Sequence, residues 1–382
     1  MEFNLEVKAA HTILAYQPTR RERKRPILVA DDWFSDITAL IKEFVGDHMI
    51  AVVADETVAR LYPERIEALQ NALPRVRVLT LKAGEQAKQL AVFELVQRFL
   101  LENELHSDDF LVSMGGGTIS DLAGFVASTY HRGIQWISIP TTFIAQTDCA
   151  MGGKTAINLG TSKNYIGSFY WPNVIFVDLS FLKTLPDREF RSAISEVAKM
   201  GIIGDERLFR QVCERCSAEA GADGIKPGLM ETLIQAMSVK IEVIKRDPFQ
   251  DDLRMVLQMG HTTAHALEAA SNLHLPHGDA VGIGLAFESF LSEKYGLISA
   301  VDRKAIIDLL ENCSLPVALP NELHDRMLVD NMRHEKRNRG RAVSLVLPCT
   351  PGRAIEEWPA CHMKVSPDEL WGALAAYRQA YG

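Results

Sequence analysis

Short runs of apolar residues recur along the first half of the chain, separated by segments in which polar and apolar residues have helical spacing. Apolar runs of this length, rich in Val, Ile and Leu, predict buried strands, and their alternation with helices is typical of a parallel sheet. We predict strands at 26–30, 49–55, 76–81, 109–114, 134–139 and 174–179. We predict helices between them at 57–72 and 87–103.

The pattern changes near residue 183, beyond which apolar positions recur every three or four residues over long stretches. These stretches predict helices at 187–203, 228–245, 261–271, 278–295 and 301–312, with one strand at 342–348. We therefore predict an α/β domain with a Rossmann-like parallel sheet at 1–182 and a mainly α-helical domain at 183–382. The sequence has no internal repeat or low-complexity linker, so we expect the two domains to enclose a shared cleft.

The composition of the chain favours a folded globular protein and excludes several other classes of protein. The 382 residues are 47% apolar and 24% charged, which is typical of a folded globular chain. A net charge of -8 argues against nucleic acid or an acidic membrane as the partner, and no apolar run is long enough to span a bilayer. The basic run at 20–25 is interpreted as a solvated loop.

The cysteines indicate no disulfide scaffold, because only six occur in so long a chain. The N-terminus lacks the pattern of a signal peptide, and we expect a cytoplasmic protein. Cys213 and Cys216 form a C-x-x-C pair, but no second pair follows, so we interpret them as two thiols on a helix.

Three glycines, Gly115, Gly116 and Gly117, link the strand predicted at 109–114 to a helical segment. Such a turn lets backbone N–H groups and a helix N-terminus approach a phosphate. The G-x-G-x-x-G pattern is absent, so a structural turn stays an alternative. Asp55 ends the second predicted strand, where it could bind a ribose or cap the next helix.

Histidines and a carboxylate provide the material for a metal site. His261 and His265 are four residues apart and share one helix face, His277 lies at the start of the next helix, and Glu196 lies on a helix of its own. Two or three imidazoles with one carboxylate are typical of catalytic zinc. The spacing does not decide which three would bind, nor does it exclude a packing role for the histidine pair.

The segment AMGGKTAINLGTSKNYIGSFYWP carries Lys154, Asn158, Lys163 and Asn164 among glycines. Cations and amides on a Gly-rich loop are suited to a phosphate and several hydroxyl groups. A polar surface loop without a ligand is the alternative.

Longer segments carry a resemblance to a known family. MGGGTISDLAGFVASTYHRG, IPTTFIAQTDCAMGGKTAINLGTSKNYIGSFYWP, LKTLPDREFRSAISEVAKMGII and LRMVLQMGHTTAHALEAASNLHLPHGDAVGIG resemble, in order and spacing, the signature blocks of the dehydroquinate synthase family. LKAGEQAK and MRHEKRNRG are weaker matches at either end. The resemblance extends from about residue 50 to residue 350.

That resemblance implies an NAD-binding α/β domain and a helical domain that holds Zn²⁺ or Co²⁺, in an enzyme that is often a homodimer. It implies that Glu196, His261 and His277 are the metal ligands. It also implies that His265 lies near the substrate phosphate, where it either supports the ligands from outside the metal site or handles a proton. The cofactor contacts it implies are Asp55, Glu85, Lys88, Gly115, Gly116, Gly117, Asp121, Thr141 and Thr142. The substrate contacts it implies are Arg132, Asp148, Lys154, Asn164, Lys199, Lys240, Arg254, Gln258 and Lys336. Among these and His265, the catalytic residues would be Lys154, Lys199, His265, Arg254 and Asn164.

The activity that the resemblance implies is the ring-closing step of aromatic biosynthesis in the shikimate pathway. A sugar-phosphate cyclase converts 3-deoxy-D-arabino-heptulosonate 7-phosphate to 3-dehydroquinate and phosphate. Its steps are transient oxidation by NAD, phosphate elimination, re-reduction and an intramolecular aldol reaction. Lys240 and Arg254 stand at the family's carboxylate-binding positions, which favours a substrate with a carboxylate.

Departures from the family pattern leave the substrate open. Gln258 replaces an Asn, Thr118 and Ser120 alter the glycine turn, and Glu335 and Arg337 flank Lys336. A specialised cyclase of the aminodehydroquinate, 2-epi-5-epi-valiolone or 2-deoxy-scyllo-inosose synthase type is one alternative. A metal-dependent polyol dehydrogenase and a non-enzymatic NAD-binding protein are two others.

Overall fold

The computed structural model describes residues 12–16, 25–82, 84–160, 162–215, 228–272, 274–334, 338 and 342–381. Of residues 12–16, 215 and 229 the backbone alone is described. Lys336, Cys216 and the basic run as far as Lys24 lie outside the described residues.

The first compact unit, which ends at Leu185, is built on a seven-stranded sheet. The strands of this unit are β1 (Thr12–Tyr16), β2 (Arg25–Ala30), β3 (Ile50–Asp55), β4 (Val76–Leu81), β5 (Phe110–Gly115), β6 (Gln135–Pro140), β7 (Lys154–Leu159), β8 (Ser162–Phe169) and β9 (Val174–Asp178). The order in the sheet is β1-β2-β9-β6-β5-β3-β4, and all pairs are parallel except β1 with β2. β7 and β8 form a separate antiparallel hairpin.

Helices cover both faces of this sheet. They are α1 (Phe34–Val45), α2 (Glu56–Leu61), α3 (Pro63–Ala72), α4 (Leu90–Glu102), α5 (Gly117–Thr129) and α6 (Phe143–Thr147). Four 3-10 helices lie at Glu85–Lys88, Tyr130–Arg132, Cys149–Met151 and Leu179–Thr184. Along β3, Val52 and Ala54 belong to one apolar cluster, whereas Ala51 and Val53 belong to another. Because side chains alternate between the two faces of a strand, this strand is buried on both sides.

The second unit begins at Pro186 and is mainly helical. Its helices are α7 (Asp187–Gly204), α8 (Glu206–Arg215), α9 (Leu229–Arg246), α10 (His261–Ala270), α11 (His277–Lys294), α12 (Ala300–Asn312), α13 (Asp325–Arg333), α14 (Ala354–Glu357) and α15 (Pro367–Tyr381). It also has a 3-10 helix at Leu253–Gln258 and an antiparallel strand pair, β10 (Val343–Val346) with β11 (His362–Val365). None of the described helices combines the length and apolar character that a bilayer crossing requires.

The predicted fold class, a parallel α/β domain followed by a helical one, is confirmed. Each of the six predicted strands of the first half ends within one residue of its predicted bounds. The division between the units falls after Leu185, three residues beyond the predicted position. The chain continues from β9 into the 3-10 helix Leu179–Thr184, whose Phe181 packs in the first unit's core.

Three local predictions were wrong. The helix at 57–72 is two helices, because Pro63 lacks the N–H that a continuous helix needs. The helix at 87–103 begins at Leu90, after a 3-10 turn. The segment that we interpreted as a Gly-rich loop is the β7–β8 hairpin, in which Thr155 and Ile157 are buried on one face.

Candidate metal centre and cofactor turn

Close helix packing in the second unit brings α7, α10 and α11 together. A Cβ added at Gly278 in α11 would lie 2.2 Å from Ser192 Cα in α7, and one added at Gly284 would lie 2.1 Å from Gly260 O. Gly260 has φ of +77° and directly precedes α10, a backbone conformation that favours glycine. These contacts bring the backbones of the three helices that carry Glu196, His261 and His277 next to one another.

Glu196, His261 and His277 converge on one point. His261 Nε2 lies 3.4 Å and His277 Nε2 lies 3.7 Å from Glu196 Oε1. One ligand atom from each of the three residues lies within 4.8 Å of the others. Glu196 Oε1 is buried, and within the described part of the chain it accepts no hydrogen bond of normal geometry. A buried carboxylate oxygen faced by two imidazole nitrogens has the donor set and spacing of a divalent metal site.

The outer nitrogen of each ring has a partner that orients the ring. His261 Nδ1 lies 3.1 Å from Met259 O. His277 Nδ1 lies 3.5 Å from Glu268 Oε2. A proton on each Nδ1 would leave the Nε2 lone pair directed at the shared point, as in metal-binding histidines.

Electrostatic interactions within the trio are strong because Glu196 is buried and both histidine rings are partly buried. Burial raises the pKa of the Glu196 carboxyl, but the Lys199 ammonium and the His261 ring outweigh it and hold this pKa well below its usual range. Burial and the Lys199 charge lower the pKa of His261 to about 4. Burial opposes the charge on His277, but Glu196 and Glu268 raise its pKa to about 9. Since metal ligation needs a neutral imidazole, a bound cation would replace a proton on His277.

His265 stands apart from this trio. Its ring contacts that of His261, with centroids 5.6 Å apart, and its side chain is exposed. The same helix face therefore carries one histidine directed at Glu196 and another directed towards solvent. Of the three histidines among which the spacing could not choose, this geometry places His261 and His277 at Glu196 and His265 outside the trio.

Among the described residues, a second group of potential ligands consists of His48, Asp108 and Asp109. Asp109 accepts hydrogen bonds from Met49 N and His106 N, both at 2.7 Å. His48 and Asp108 are largely exposed. The carboxylate of Asp109 is therefore used to hold the backbone before β3 and β5.

Polar side chains that the resemblance assigns to the substrate lie on elements packed around α7. Lys199 is 2% exposed and forms an ion pair with Glu196. Lys240 on α9 is 5% exposed, and Arg254 in the 3-10 helix Leu253–Gln258 is 1% exposed. Gln258, at the end of the same 3-10 helix, is half-buried. The described part of this unit therefore places at least three cationic side chains in buried positions, where such side chains are uncommon.

The position of Arg254 is set by a loop built around Asp247. The Asp247 carboxylate accepts hydrogen bonds from Asp251 N, Asp252 N and Arg254 N, each at 2.8 Å. Burial raises the pKa of Asp247, but these backbone donors outweigh it and lower the value. Arg254 Nη1 donates in turn to Pro248 O.

In the first unit, the glycine turn lies where the direction of the sheet reverses. β3 and β5 are neighbours, but the chain proceeds from β3 to β4 on one side and from β5 to β6 on the other. Ligands of open α/β sheets bind outside the carboxyl ends of the strands at such a point. Asp55 ends β3 and Gly115 ends β5, so both lie at that position.

The three glycines are tightly enclosed. A Cβ at Gly115 would lie 2.8 Å from Ile119 Cβ, one at Gly116 would lie 3.0 Å from Thr142 Cγ2, and one at Gly117 would lie 3.1 Å from Cys149 Sγ. The first hydrogen bond of α5 runs from Ser120 N to Gly116 O, so the N–H groups before Ser120 have no partner within the helix. These groups are suited to a phosphate.

Two further side chains flank this turn. Asp55 Oδ1 accepts hydrogen bonds from Thr57 N and Val58 N, so it caps α2, the alternative left open above. Thr141 Oγ1 is buried without a hydrogen-bond partner among the described residues, and Thr142 caps α6. An orphaned buried hydroxyl beside a glycine turn fits a ligand that is hydrogen-bonded there.

A polar network joins the predicted cofactor residues to the hairpin. Lys88 Nζ lies 2.6 Å from Asp121 Oδ2 and also donates to Asn164 Oδ1. Asn158 Nδ2 donates to Glu85 Oε1 at 2.7 Å, and Asn158 Oδ1 accepts from Asn164 N at 2.8 Å. Burial raises the pKa of the Asp121 carboxyl, and the Lys88 charge opposes this shift. Asn158 was predicted only as one of the polar residues of the glycine-rich segment, and the family resemblance did not add it to the cofactor contacts.

The remaining predicted substrate residues differ in position. Asp148 follows α6 beside the glycine turn, and Lys154 begins β7 with an exposed side chain. Arg132 follows α5 at the opposite end from the turn. Because α5 has 13 residues, its ends lie about 20 Å apart, so this chain does not bring Arg132 to the glycine turn.

Comparison with known proteins agrees with this arrangement. The chain matches the family model of the 3-dehydroquinate synthase N-terminal domain over residues 78–192 and that of the C-terminal domain over 193–338. The matched ranges span more than half of the 382 residues. The protein is therefore an enzyme of the sugar-phosphate cyclase class. Within that class, the chain belongs to the 3-dehydroquinate synthase family.

Solved structures share the fold along more than nine tenths of the chain. A 2-deoxy-scyllo-inosose synthase complexed with carbaglucose-6-phosphate, NAD⁺ and Co²⁺ has a TM-score of 0.83 at 21% identity, covering 96% of this chain and 100% of that one. A 2-epi-5-epi-valiolone synthase from Streptomyces hygroscopicus subsp. jinggangensis 5008 with NAD⁺ and Zn²⁺ bound has a TM-score of 0.80 at 23% identity, covering 95% and 99%. A glycerol dehydrogenase from Schizosaccharomyces pombe has a lower TM-score of 0.62 at 16% identity, covering 91% and 87%.

Proposed function

We propose that this chain uses NAD and a divalent metal to cyclise a seven-carbon keto acid sugar phosphate, with loss of phosphate. The substrate class is that of 3-deoxy-D-arabino-heptulosonate 7-phosphate, and the product would be 3-dehydroquinate. The observation that carries the proposal is the convergence of Glu196, His261 and His277, where the buried Glu196 Oε1 accepts no normal hydrogen bond from any described residue.

These residues fit a divalent cation. Two imidazoles and one carboxylate leave a coordination position open, as catalytic zinc sites require. The same donor set suits Co²⁺. The 2-epi-5-epi-valiolone synthase is described with Zn²⁺ and the 2-deoxy-scyllo-inosose synthase with Co²⁺, which supports either metal here.

The first unit fits NAD. The N–H groups of Gly116 and Gly117 would donate hydrogen bonds to the pyrophosphate at the N-terminus of α5. Asp55 caps α2 through Oδ1, and its Oδ2 would accept a hydrogen bond from a ribose hydroxyl. The orphaned Thr141 hydroxyl and the Glu85, Lys88 and Asp121 network lie among the predicted cofactor contacts. Both structural relatives named with a metal are also named with NAD⁺.

The chain's own residues would bind and orient the substrate. When bound, NAD would take and return a hydride, and the metal would polarise a substrate oxygen. Lys154 and Asn164 on the hairpin would bind anionic and hydroxyl groups, and Lys240 and Arg254 would bind the carboxylate. Lys199, already beside Glu196, would hold a substrate oxygen near the same trio. Because Arg254 and Lys199 are buried, their charges would act in a medium of low dielectric constant.

Phosphate release tests this function. Purified protein loaded with NAD⁺ and Zn²⁺ or Co²⁺ is supplied with heptulosonate, aminoheptulosonate, sedoheptulose and glucose phosphates in parallel. We expect phosphate release from the heptulosonate phosphate without net accumulation of NADH, because the cofactor is regenerated in each turnover. NADH that accumulates in proportion to turnover would identify a polyol dehydrogenase instead. No phosphate release from any of the four would refute the proposal.

A specialised cyclase is the second candidate, and Gln258 favours it. Its amide is one methylene farther from the backbone than the family's usual Asn, which alters the position of a polar contact. Preferred turnover of the aminoheptulosonate, sedoheptulose or glucose phosphate in the same assay would identify this candidate.

A further inference from the structure

Two carboxylates outside the metal trio connect α10 and α11 in opposite directions. Glu268, on α10, lies 3.5 Å from Nδ1 of His277, which begins α11. Glu288, on α11, reaches the first turn of α10, where its Oε2 accepts a hydrogen bond from Gly260 N at 2.6 Å. Its Oε1 accepts from Thr263 Oγ1 at 2.9 Å and from Thr263 N at 3.4 Å.

The burial of Glu288 shows why these bonds matter. Its side chain is fully buried, at 0% exposure, and directly follows the apolar stretch 280–287 of α11. An ionised carboxylate in such a place is strongly destabilising unless hydrogen bonds and charge compensate it. The N-terminus of α10 supplies both, because its first N–H groups lack helical acceptors and it is the positive end of the helix dipole.

The bond to Gly260 acts on the metal ligand next to it. Gly260 lies between Met259, whose carbonyl oxygen is 3.1 Å from His261 Nδ1, and His261 itself. Fixing Gly260 N therefore fixes both the start of the helix that carries His261 and the carbonyl that orients its ring. The backbone contact of Gly284 with Gly260 O holds α11 against the same point, one turn before Glu288.

We propose that Glu268 and Glu288 are reciprocal positioning residues, each of which fixes the metal ligand carried by the other's helix. Glu268 of α10 orients the ring of His277 on α11, and Glu288 of α11 fixes the turn of α10 that carries His261. The inference rests on the proposed function, because it concerns the cation that Glu196, His261 and His277 would hold. Ligands held in place before binding cost less to order, so this pair determines metal affinity.

The experiment measures metal affinity in the full-length chain. Zn²⁺ and Co²⁺ dissociation constants are determined by chelator competition for wild type, Glu268→Gln, Glu288→Gln and Thr263→Val. Glu293→Gln is the matched control, because Glu293 lies on α11 like Glu288 but forms an ion pair with Arg303 instead. The absorption spectrum of the Co²⁺ form and the thermal stability of the metal-free form are recorded for each variant.

We expect Glu268→Gln and Glu288→Gln each to weaken metal binding by roughly 10- to 100-fold, the range for outer-shell partners. Thr263→Val should weaken binding less, because Glu288 keeps its bonds to backbone N–H groups. The spectra of both glutamate variants should change, whereas Glu293→Gln should bind metal within about twofold of wild type, since it is remote from both ligands.

Lower stability of the metal-free glutamate variants with unchanged affinity and spectrum would show a purely structural role and overturn the inference. If Glu288→Gln does not fold, Thr263→Val and Glu268→Gln decide in the same way. A wild-type chain that binds no metal would overturn both the proposed function and this inference. A wild-type chain that binds metal no more tightly than the variants would overturn this inference alone.

Discussion

At the scale of single residues, the partner of each histidine's outer nitrogen distinguishes the candidate ligands. His261 and His277 each have an oxygen atom near Nδ1, and both direct Nε2 at Glu196. His265 lies on the same helix face as His261, yet its exposed ring is outside the trio. Metal binding should therefore depend on His261 and not on His265.

The first prediction compares these neighbours directly. His261→Ala should reduce bound zinc to below about a tenth of stoichiometric, because a three-ligand site loses one ligand and the fixed geometry of the other two. His265→Ala should retain stoichiometric metal. Metal content after dialysis, measured by mass spectrometry, distinguishes the two, and equal metal content in both variants would contradict the ligand assignment.

A second prediction concerns the buried guanidinium of Arg254. Arg254→Gln should lower kcat/KM roughly 10- to 100-fold for a carboxylate-bearing sugar phosphate, since a charge-assisted hydrogen bond contributes about 1.5 to 3 kcal/mol. A sugar phosphate without a carboxylate should lose less than about threefold. Parallel kinetics on one preparation measure both, and equal losses would show that Arg254 does not recognise the carboxylate.

The sequence predicts the kinds of residue at the site better than their partners. Residue type and spacing indicate a carboxylate with two or three histidines, and the family resemblance selects Glu196, His261 and His277. Spacing alone could not select this set, because His261 and His265 are four residues apart on α10 and share a face. Only the crossing of α7 and α11 directs His261 at Glu196. Glu268 and Glu288 were not predicted, since their roles depend on contacts between helices.

At the scale of secondary structure elements, glycine contacts determine how closely the ligand-bearing helices approach. Gly284→Ala would place a Cβ 2.1 Å from Gly260 O and force α10 and α11 apart. We expect a loss of about 1 to 3 kcal/mol in the free energy of unfolding, as for overpacked cores. The matched change is Gly372→Ala in α15, where nothing lies within 4 Å of the added carbon.

Gly372→Ala should leave stability unchanged or raise it by roughly 0.5 to 1 kcal/mol, because alanine favours helix. Urea denaturation of both variants measures these free energies. Similar effects of the two substitutions would mean that the helices are not in the close contact described.

The Asp247 loop gives a prediction on pH. Burial raises the pKa of the Asp247 carboxyl, but backbone donors outweigh it and lower this pKa in the folded chain. The contribution of Asp247 to stability is therefore present above the ordinary pKa near 3.8 and is lost as the pH falls below that value. Asp247→Asn should reduce stability by about 1 to 3 kcal/mol at neutral pH. The difference from wild type should shrink as the pH falls below 3.8. Denaturation at several pH values measures this, and a difference independent of pH would refute the role given to the carboxylate.

Element types were predictable where one periodicity dominates. The buried strands of the first sheet have continuous apolar runs, and their bounds agree with the structure to within a residue. The β7–β8 hairpin was missed because β8 shows no clear alternation of polar and apolar residues. Seven of its eight residues carry polar, aromatic or small side chains, and only Ile166 is a large aliphatic. β11 is a strand of four residues, too short to show a pattern.

At the scale of the whole molecule, each unit holds one part of the proposed chemistry. The first unit presents a glycine turn at the reversal point of its sheet. The second gathers two imidazoles from the first residues of α10 and α11 with a carboxylate from the middle of α7. The division between the units falls after Leu185, close to the place where the hydrophobic period of the sequence changes. The substrate could not be predicted in the same way, because a replacement such as Gln258 changes where a polar group lies and not which kind of group it is.

The metal assignment is tested most directly by anomalous diffraction at the cobalt absorption edge from crystals grown with Co²⁺. We expect a single strong peak within about 2.0 to 2.3 Å of Glu196 Oε1, His261 Nε2 and His277 Nε2. A peak bound by other residues, or none at these three, would contradict it.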